Sequence, residues 1–423
     1  MRIGFEKYRD FPPITIDDRN LIGVFAPRYV KDRRPVGEII RLGLENPLDS
    51  PPLAELARGK HRVLILVDDN TRNTPVQEIL PPVIAELNRG GIENGRIEFL
   101  VALGTHREMT AEETEAKFGP SICKTFAIYM HRWQDEDQLY DLGKTERGTE
   151  ILVNRRVMEA DLVIGVGQIV PHRVVGYSGG CKIVQPGVCG EVTTGQTHWL
   201  SAEFTGEEMT GTIENPVREE IDRVGVRANL GFIVNAVMDN SDEIVHVVCG
   251  DPVAAFREGA RLSREIFAVE IPERADIVVT DSYPADIEMW QASKGIYAAE
   301  LAVKEGGVIV MVSPCHEGVC ATHPDVLKYG YLPYGAVREL LDSGELTDLT
   351  VAAHLVHVGR VIREKATGIL VSSGIKRRES EKLGFIPAEN PQEALELALR
   401  IAGRLARIIV LQHGGHILPA VHG

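Results

Sequence analysis

The chain has 423 residues, of which 44% are hydrophobic and 25% are charged, and its formal net charge at pH 7 is −15. This composition predicts a globular protein with about two domains, and the negative charge argues against a nucleic acid or an anionic membrane as its partner. No apolar run approaches the roughly 18 residues of a membrane span, and the N-terminus lacks the apolar segment of a signal peptide. Six cysteines without a CxxC pair indicate a reducing compartment. We therefore expect a cytoplasmic protein that binds small molecules.

The first clear pattern along the chain is a βαβ unit. An apolar run at 63–67 predicts a strand buried on both faces, an apolar stripe at 76–87 predicts a helix, and 97–103 predicts a second buried strand. The connection between two parallel strands is right-handed, so the polar loops 68–75 and 104–107 are expected to leave the same edge of the sheet. That edge is a candidate binding site.

A third buried strand, at 161–166, leads into a glycine-rich segment at 165–199 that has almost no helical or strand periodicity. We interpret this segment as a loop that approaches a ligand, because glycine at this density adds backbone freedom and contributes no packing area. The loop contains His172, Lys182 and His198. Ligands of open α/β sheets bind outside the carboxyl ends of the strands, so the three polar loops are expected to converge.

The alternation of strands and helices restarts near residue 270, which predicts a second domain. We place the first domain at 1–268 and a smaller one at 269–404, with 405–423 as a segment that could return to the first domain. The predicted fold is two α/β domains with mainly parallel sheets and an active-site cleft between them. The strands expected after residue 270 are 275–280, 307–312, 368–371 and 406–411.

Two familiar phosphate-binding motifs are excluded in the glycine-rich segment. GVGQIV fails as a dinucleotide-binding fingerprint at Val170. GYSGGCKI fails as a P-loop, since Cys181 replaces a required glycine and Ile183 replaces the serine or threonine that binds magnesium. What remains is a glycine loop that presents Lys182 to an anion, with a solvated lysine on a turn as the alternative.

Three histidines, His106, His172 and His198, lie in turn-forming contexts that follow predicted strands. For any single one a structural role is the alternative, but three in loops that share one sheet edge indicate acid/base or metal chemistry. A further group of cysteines and histidines at 315–323 matches no zinc-site spacing, and we expect it to be free of metal.

Two smaller motifs carry candidate anion contacts. Asp69 and Arg72 offer a guanidinium for a carboxylate or phosphate together with an acid that could orient it, and a helix-capping loop is the alternative. Gln291 and Lys294 fall on one face of a predicted helix, for which a solvated helix start is the alternative.

These motifs together resemble one known family. The segment GVGQIVPHRVVGYSGGCKIVQPG with the later TGQTHW, the upstream DDNTR and GTHR, and the downstream QASK are similar to the nickel-dependent lactate racemases. The resemblance extends through most of the chain. It implies a two-domain α/β enzyme with its active site in the cleft, which racemises or epimerises 2-hydroxy acids.

The resemblance also implies a cofactor. This is a nickel-pincer nucleotide, a pyridinium-3,5-dithiocarboxylate-type mononucleotide that holds nickel through two sulfurs, a ring carbon and a histidine. Lys182 would be its covalent anchor beside Gly179 and Gly180, and His198 would be the nickel ligand. Proteins that synthesise the cofactor would then be partners of the chain.

For the substrate, the resemblance implies reversible hydride transfer from C2 to the cofactor. His106 and His172 would be a symmetric pair of acid/base residues with pKa values near neutrality, one for each enantiomer. The residues implied to orient substrate or cofactor are Asp69, Arg72, Gln291 and Lys294.

The identity of the 2-hydroxy acid stays open at this point. Arg173 follows His172 and could bind a second carboxylate, as in malate, or a longer acid such as an aldonate; alternatively, it points away and pairs with an acidic residue. Two other classes of function are alternatives: a metal-free enzyme that acts on phosphates or nucleotides, and a metal-binding protein without catalytic activity.

Overall fold

The computed structural model describes residues 1–421 except Glu6, Arg9 and Asp32. Two six-stranded sheets form its framework. Their strands are β1 Leu21–Phe25, β2 Val63–Asp68, β3 Ile97–Ala102, β4 Ala127–Met130, β5 Leu162–Gln168, β6 Leu230–Met238, β7 Ile244–Gly250, β8 Ala275–Asp281, β9 Val303–Val312, β10 Ala366–Val371, β11 Ile386–Ala388 and β12 Ile408–Leu411. Four two-stranded ribbons pair Arg2–Ile3 with Ile14–Thr15, Leu139–Lys144 with Glu150–Asn154, Pro171–His172 with Gly176–Tyr177, and Ala268–Ile271 with Leu418–Val421.

The longer helices are α1 Val36–Glu45, α2 Val76–Arg89, α3 Ala111–Phe118, α4 Glu191–Ser201, α5 Pro216–Arg227, α6 Ala254–Phe267, α7 Met289–Ala302, α8 Tyr334–Asp342, α9 Leu349–Gly359 and α10 Pro391–Ala402. Shorter helices are Leu53–Leu56, Pro120–Thr125, Arg155–Glu159, Gly206–Met209, Asp325–Tyr329 and Arg377–Leu383, and Arg360–Lys365 continues α9 as a π-helical turn. Within the described residues no helix is long and apolar enough to cross a membrane.

The first sheet has the strand order β7-β6-β5-β2-β3-β4, and all neighbours are parallel except β6 and β7. Its strands are apolar on both faces because each face is covered by a separate hydrophobic cluster. The predicted βαβ unit is confirmed, with its helix α2 running through Pro81 and Pro82. The carboxyl ends of β2, β3 and β5 lie side by side in this sheet, as the sequence predicts.

The second sheet has the order β11-β10-β9-β8-β12-β1 and is parallel throughout. Strand β12, which lies in the segment 405–423, pairs with β8 and β1. It therefore belongs to the second sheet and does not return to the first. Strand β1, which falls within the predicted first domain 1–268, is also part of this second sheet. A domain boundary at residue 268 stays a prediction, as does the extent 269–404.

The segment 165–199 differs from the loop that the sequence predicts, because it ends in helix α4. Apolar periodicity is absent from this helix since small polar residues occupy its buried positions, and Thr197 donates a hydrogen bond to the carbonyl of Thr193 at 3.2 Å. Helix α4 packs against α9 from the second half of the chain. The approach is close at Gly195, where a Cβ atom would lie 3.0 Å from the Cβ of Leu349.

Candidate active site

A cavity of about 140 Å³ is lined by loops of the first sheet and by helices α4, α7 and α9. The residues predicted from the sequence that line it are Asp69, Arg72, His106, His172, Arg173, Gly179, Lys182, His198, Gln291 and Lys294. Gly180 is the predicted site residue that does not line it, and it lies directly beneath, in the turn that carries Lys182. The convergence expected from the topology is therefore present.

His106 lies between an acid of the first sheet and an amide of helix α7. Its Nδ1 donates to Oδ2 of Asp69 at 2.6 Å, and its Nε2 accepts from the side-chain amide of Gln291 at 2.8 Å. Burial alone would raise the pKa of Asp69, but His106 and then Arg72 hold that pKa below its ordinary value. The ionised Asp69 fixes the ring of His106 with its proton on Nδ1, which leaves Nε2 as the basic atom.

Two cations meet at the same amide. Oε1 of Gln291 accepts from Nζ of Lys294 at 2.8 Å and from Nη1 of Arg72 at 3.4 Å. No carboxylate of the described residues forms an ion pair with either cation, although Asp69 acts on both from a longer distance. Burial, followed by the charges of Arg72 and Lys182, lowers the pKa of Lys294 well below its usual value. An anion bound beside them would meet the guanidinium of Arg72 and would favour the protonated form of Lys294.

His172 belongs to a short two-stranded ribbon, where it pairs with Gly176, and its ring is held by the backbone next to it. Nδ1 accepts the N–H of Val174 at 3.2 Å, so the neutral ring carries its proton on Nε2. Burial, with a contribution from Lys182, lowers the pKa of His172 well below its ordinary value. Burial therefore acts against the near-neutral pKa that the sequence analysis expects for His172, and the pairing of His106 and His172 as acid/base residues stays a prediction.

His198 presents the opposite ring arrangement. Its Nδ1 donates to the carbonyl of Thr194, one turn earlier in α4, at 2.9 Å. Burial lowers the pKa of His198 to about 4. The hydrogen bond to Thr194 raises this pKa, and the charge of Lys182 lowers it further. The ring is neutral at pH 7, and its Nε2 keeps a free lone pair, which is the state of a histidine that binds a transition metal.

Lys182 lies in the 3-10 turn Gly180–Ile183. Burial, reinforced by Arg72 and Arg218 and opposed by Asp69, lowers the pKa of its amine to about 7. The turn requires glycine at 179 and 180, where φ is 84° and 60°. A Cβ at Gly180 would also lie 2.8 Å from the Cβ of Phe256.

The surroundings of Arg173 are compatible with both alternatives from the sequence, which are contact with a substrate and pairing with an acidic residue. It lines the cavity, and it also approaches an acid, with its Nε 4.0 Å from Oε2 of Glu300. Its Nη2 donates to the carbonyl of Phe204 at 2.8 Å. Nε and Nη1 of Arg173, and Oε2 of Glu300, are buried without a hydrogen-bond partner among the described residues.

Several residues at the site were missed by the sequence analysis. His354 and His357 of α9 line the cavity, but they sit in a helix buried on all sides, where no polar pattern distinguishes them. Asn235 also lines it and accepts the N–H of Gly180 at 2.9 Å. A polar residue within the apolar run of β6 is a signal that could have identified Asn235.

No group of three or more His, Cys, Asp or Glu side chains in the described part of the chain is arranged to bind a metal ion. In the 315–323 segment, Sγ of Cys320 contacts Oγ1 of Thr322 at 3.4 Å, and the ring of His323 stacks on that of Trp290. A metal held at His198 would therefore need most of its ligands from a non-protein group.

Comparison with known proteins identifies relatives of the chain. The family model of the lactate racemase N-terminal domain matches residues 9–210, and that of the C-terminal domain matches 271–418. The lactate racemase of Thermoanaerobacterium thermosaccharolyticum is 29% identical over 392 residues, 90% of each chain. That of Lactiplantibacillus plantarum is 34% identical over 310 residues, 72% of each chain.

Solved structures show the same architecture. The lactate racemase apoprotein from T. thermosaccharolyticum matches with a TM-score of 0.88 at 26% identity, covering 99% of both chains. A Thermotoga maritima protein shares the fold, with a TM-score of 0.76 at 23% identity over 93% of this chain and 100% of its own. The two family models together span most of the sequence, and the chain belongs to the lactate racemase family.

Proposed function

We propose that the chain is a nickel-pincer-nucleotide-dependent racemase or epimerase of 2-hydroxy acids. The observation that carries the proposal is the grouping, around one cavity, of a lysine whose pKa is lowered to about 7, a histidine with a free lone pair, and two basic side chains, Arg72 and Lys294, that form no ion pair with a carboxylate of the described residues. A protein that only stores metal does not need the cations, and a metal-free phosphate enzyme does not need the ring arrangement of His198.

The residues present fit the proposed cofactor. A lysine with a pKa of about 7 is uncharged in a large fraction of molecules at neutral pH, which suits a covalent anchor. His198 offers Nε2 for nickel, and the positive φ angles at Gly179 and Gly180 permit the turn that presents Lys182 to the cavity. When bound, the cofactor supplies an electrophilic ring carbon that takes up and returns the hydrogen on C2 of the substrate as a hydride.

Arg72 and Lys294 are proposed to bind the carboxylate of the substrate. Both cations already share Oε1 of Gln291, which a carboxylate oxygen would replace. Holding the carboxylate at two points fixes the position of C2 and leaves the hydroxyl to reach one of the two histidines. The side-chain amide of Gln291 is then free to orient the hydroxyl or carboxylate.

The two histidines are proposed to handle the hydroxyl proton in different ways. Nε2 of His106 accepts that proton when the substrate hydroxyl takes the place of the Gln291 amide, and Asp69 stabilises the resulting imidazolium. His172 in its neutral form has N–H at Nε2 and donates a hydrogen bond to the substrate oxygen, and the proton held by the His106 imidazolium returns to that oxygen when the opposite enantiomer forms. The substrate therefore meets a base and a donor rather than two equal bases.

The cofactor proposal is tested on protein co-expressed with the proteins that synthesise the nucleotide. We expect nickel in amounts close to the protein concentration and a mass increase localised to Lys182. The Lys182→Ala variant should lose both, and His198→Ala should keep the added mass and hold less nickel, because it removes the one nickel ligand that the protein supplies. Co-expressed protein that carries neither nickel nor added mass would contradict the proposal. Bound nickel without racemase or epimerase activity would support the metal-binding alternative.

The roles of the histidines predict unequal losses of activity in loaded enzyme. His106→Gln should lower kcat for lactate racemisation by roughly 10²- to 10⁴-fold, because glutamine cannot accept the proton. His172→Gln keeps an N–H donor and should lose clearly less. His131→Gln is the matched control, since His131 is buried in the first half outside the cavity. Unchanged racemisation in both site variants would exclude the two-histidine scheme.

Arg173 supports a second candidate substrate class, a dicarboxylic or longer polar acid. Arg173 lines the cavity, and its buried Nε and Nη1 have no hydrogen-bond partner among the described residues, although Glu300, 4.0 Å from Nε, balances part of its charge. If Arg173 binds a second carboxylate, Arg173→Met should lower the ratio of kcat/KM for malate to that for lactate at least about tenfold. Measuring malate, gluconate and lactate on the same preparation cancels any loss of folded enzyme. An unchanged ratio would remove Arg173 from substrate recognition.

A further inference from the structure

The turn that carries Lys182 rests on a buried arginine, Arg218, that does not line the cavity. Arg218 is 2% exposed, and its guanidinium donates to two main-chain carbonyls of the glycine-rich segment. Nη1 binds the carbonyl of Gly179 at 3.2 Å, and Nη2 binds the carbonyl of Tyr177. The sequence analysis did not identify this residue, because it stands in the first turn of an ordinary amphipathic helix.

The local sequence explains why Arg218 is held in this position. Asn215 caps helix α5 by accepting the N–H of Arg218 at 2.8 Å, and Pro216 starts the helix. The guanidinium lies 3.8 Å from the ring centre of Phe256, and Nη1 is 3.5 Å from Oδ1 of Asp222. The side chain is therefore fixed by α5, by α6 and by the glycine-rich segment together.

The carbonyl of Gly179 connects Arg218 to Lys182. This oxygen accepts the N–H of Lys182 at 3.2 Å, which closes the turn, and it also accepts the guanidinium N–H of Arg218. Phe256 packs under the same turn, where it leaves no space for a side chain at Gly180. The carbonyl oxygen of Gly179 therefore links the guanidinium of Arg218 to the backbone N–H of Lys182.

We propose that Arg218 is a positioning residue, which holds the 177–182 turn so that the Lys182 amine faces the cavity in a reactive state without itself touching a ligand. This inference rests on the function proposed above, in which Lys182 carries the cofactor. A planar guanidinium suits this role, since it reaches two carbonyls at once and an ammonium group cannot do so with the same geometry.

The charge of Arg218 acts in the same direction as its geometry. Burial is the main reason that the pKa of Lys182 is about 7, and the positive charges of Arg72 and Arg218 lower it further. The charged and titratable groups that face Lys182 are Asp69, Arg72, His172, His198, Arg218 and Lys294. Asp69 acts in the opposite direction and raises the pKa of Lys182. Because the positive charge of Arg218 lowers this pKa, removal of that charge should shift the titration of the amine to higher pH.

The test uses the apo full-length chain and pyridoxal 5′-phosphate, an aldehyde with a pyridine ring and a phosphate. The Lys182 amine adds to the aldehyde carbon and the aldehyde oxygen leaves as water, which gives an imine; borohydride then reduces the imine for peptide mapping. In the wild type we expect labelling of Lys182 with a midpoint near pH 7. Arg218→Met should raise the midpoint by about one pH unit.

Arg218→Lys separates charge from geometry. It should keep a midpoint near that of the wild type, because the positive charge remains, and label on the order of tenfold more slowly, because the turn is no longer held at two carbonyls. Arg223→Met is the matched control, since this arginine lies on the same helix and pairs with Glu220 at 2.9 Å on the outer side. Its midpoint and rate should equal those of the wild type.

Thermal unfolding of each variant is measured in parallel, because partial unfolding alone would expose Lys182 and raise its midpoint. A folded Arg218→Met with the wild-type midpoint and rate would overturn the inference, as would a wild type that is not labelled at Lys182. If Arg218→Met does not fold, Arg218→Lys decides, and a wild-type labelling rate in it would overturn the inference. The proposed function fails separately, if co-expressed wild-type protein carries neither nickel nor added mass.

Discussion

The hydrogen bond between His106 and Gln291 is the contact on which the site depends. His106 follows a strand of the first sheet and Gln291 belongs to helix α7, so this bond joins the two halves of the chain inside the cavity. Asp69 fixes the other side of the imidazole, and Gln291 in turn gathers the two cations. Acid, base and anion site are therefore positioned by one continuous chain of hydrogen bonds, whose geometry a shift of either half would disrupt.

Burial is the largest cause of the pKa shifts in this site. Removal from water lowers the pKa of His172, His198, Lys182 and Lys294, and nearby positive charges add to the effect. The result is a cavity rich in basic groups in which burial favours the neutral forms of His172 and His198. Neutral nitrogen atoms can bind a metal or exchange a proton, whereas charged ones could only attract an anion. The same low-dielectric surroundings would strengthen the proposed contact of Arg72 with a carboxylate.

The convergence of loops could be predicted because parallel strands fix which ends share an edge, and β2, β3 and β5 follow that rule. The sequence pattern failed where tertiary contacts replace periodicity. Helix α4 has buried threonines instead of an apolar stripe, and β1 joins a sheet whose other strands come some 250 residues later. The ring state of His172 and the role of Arg218 depend on single backbone contacts that no spacing encodes.

The central proposal is that His106 exchanges only the hydroxyl proton of the substrate, with His172 as a hydrogen-bond donor, while the hydrogen on C2 is kept from solvent. Racemisation of one enantiomer of lactate by the loaded enzyme in D₂O tests this most directly, with deuterium at C2 followed by NMR. The opposite enantiomer should appear with hydrogen at C2 and without deuterium. Deuterium at C2 in each newly formed molecule of the opposite enantiomer would show that a protein base removes the C2 proton, and would contradict the proposal.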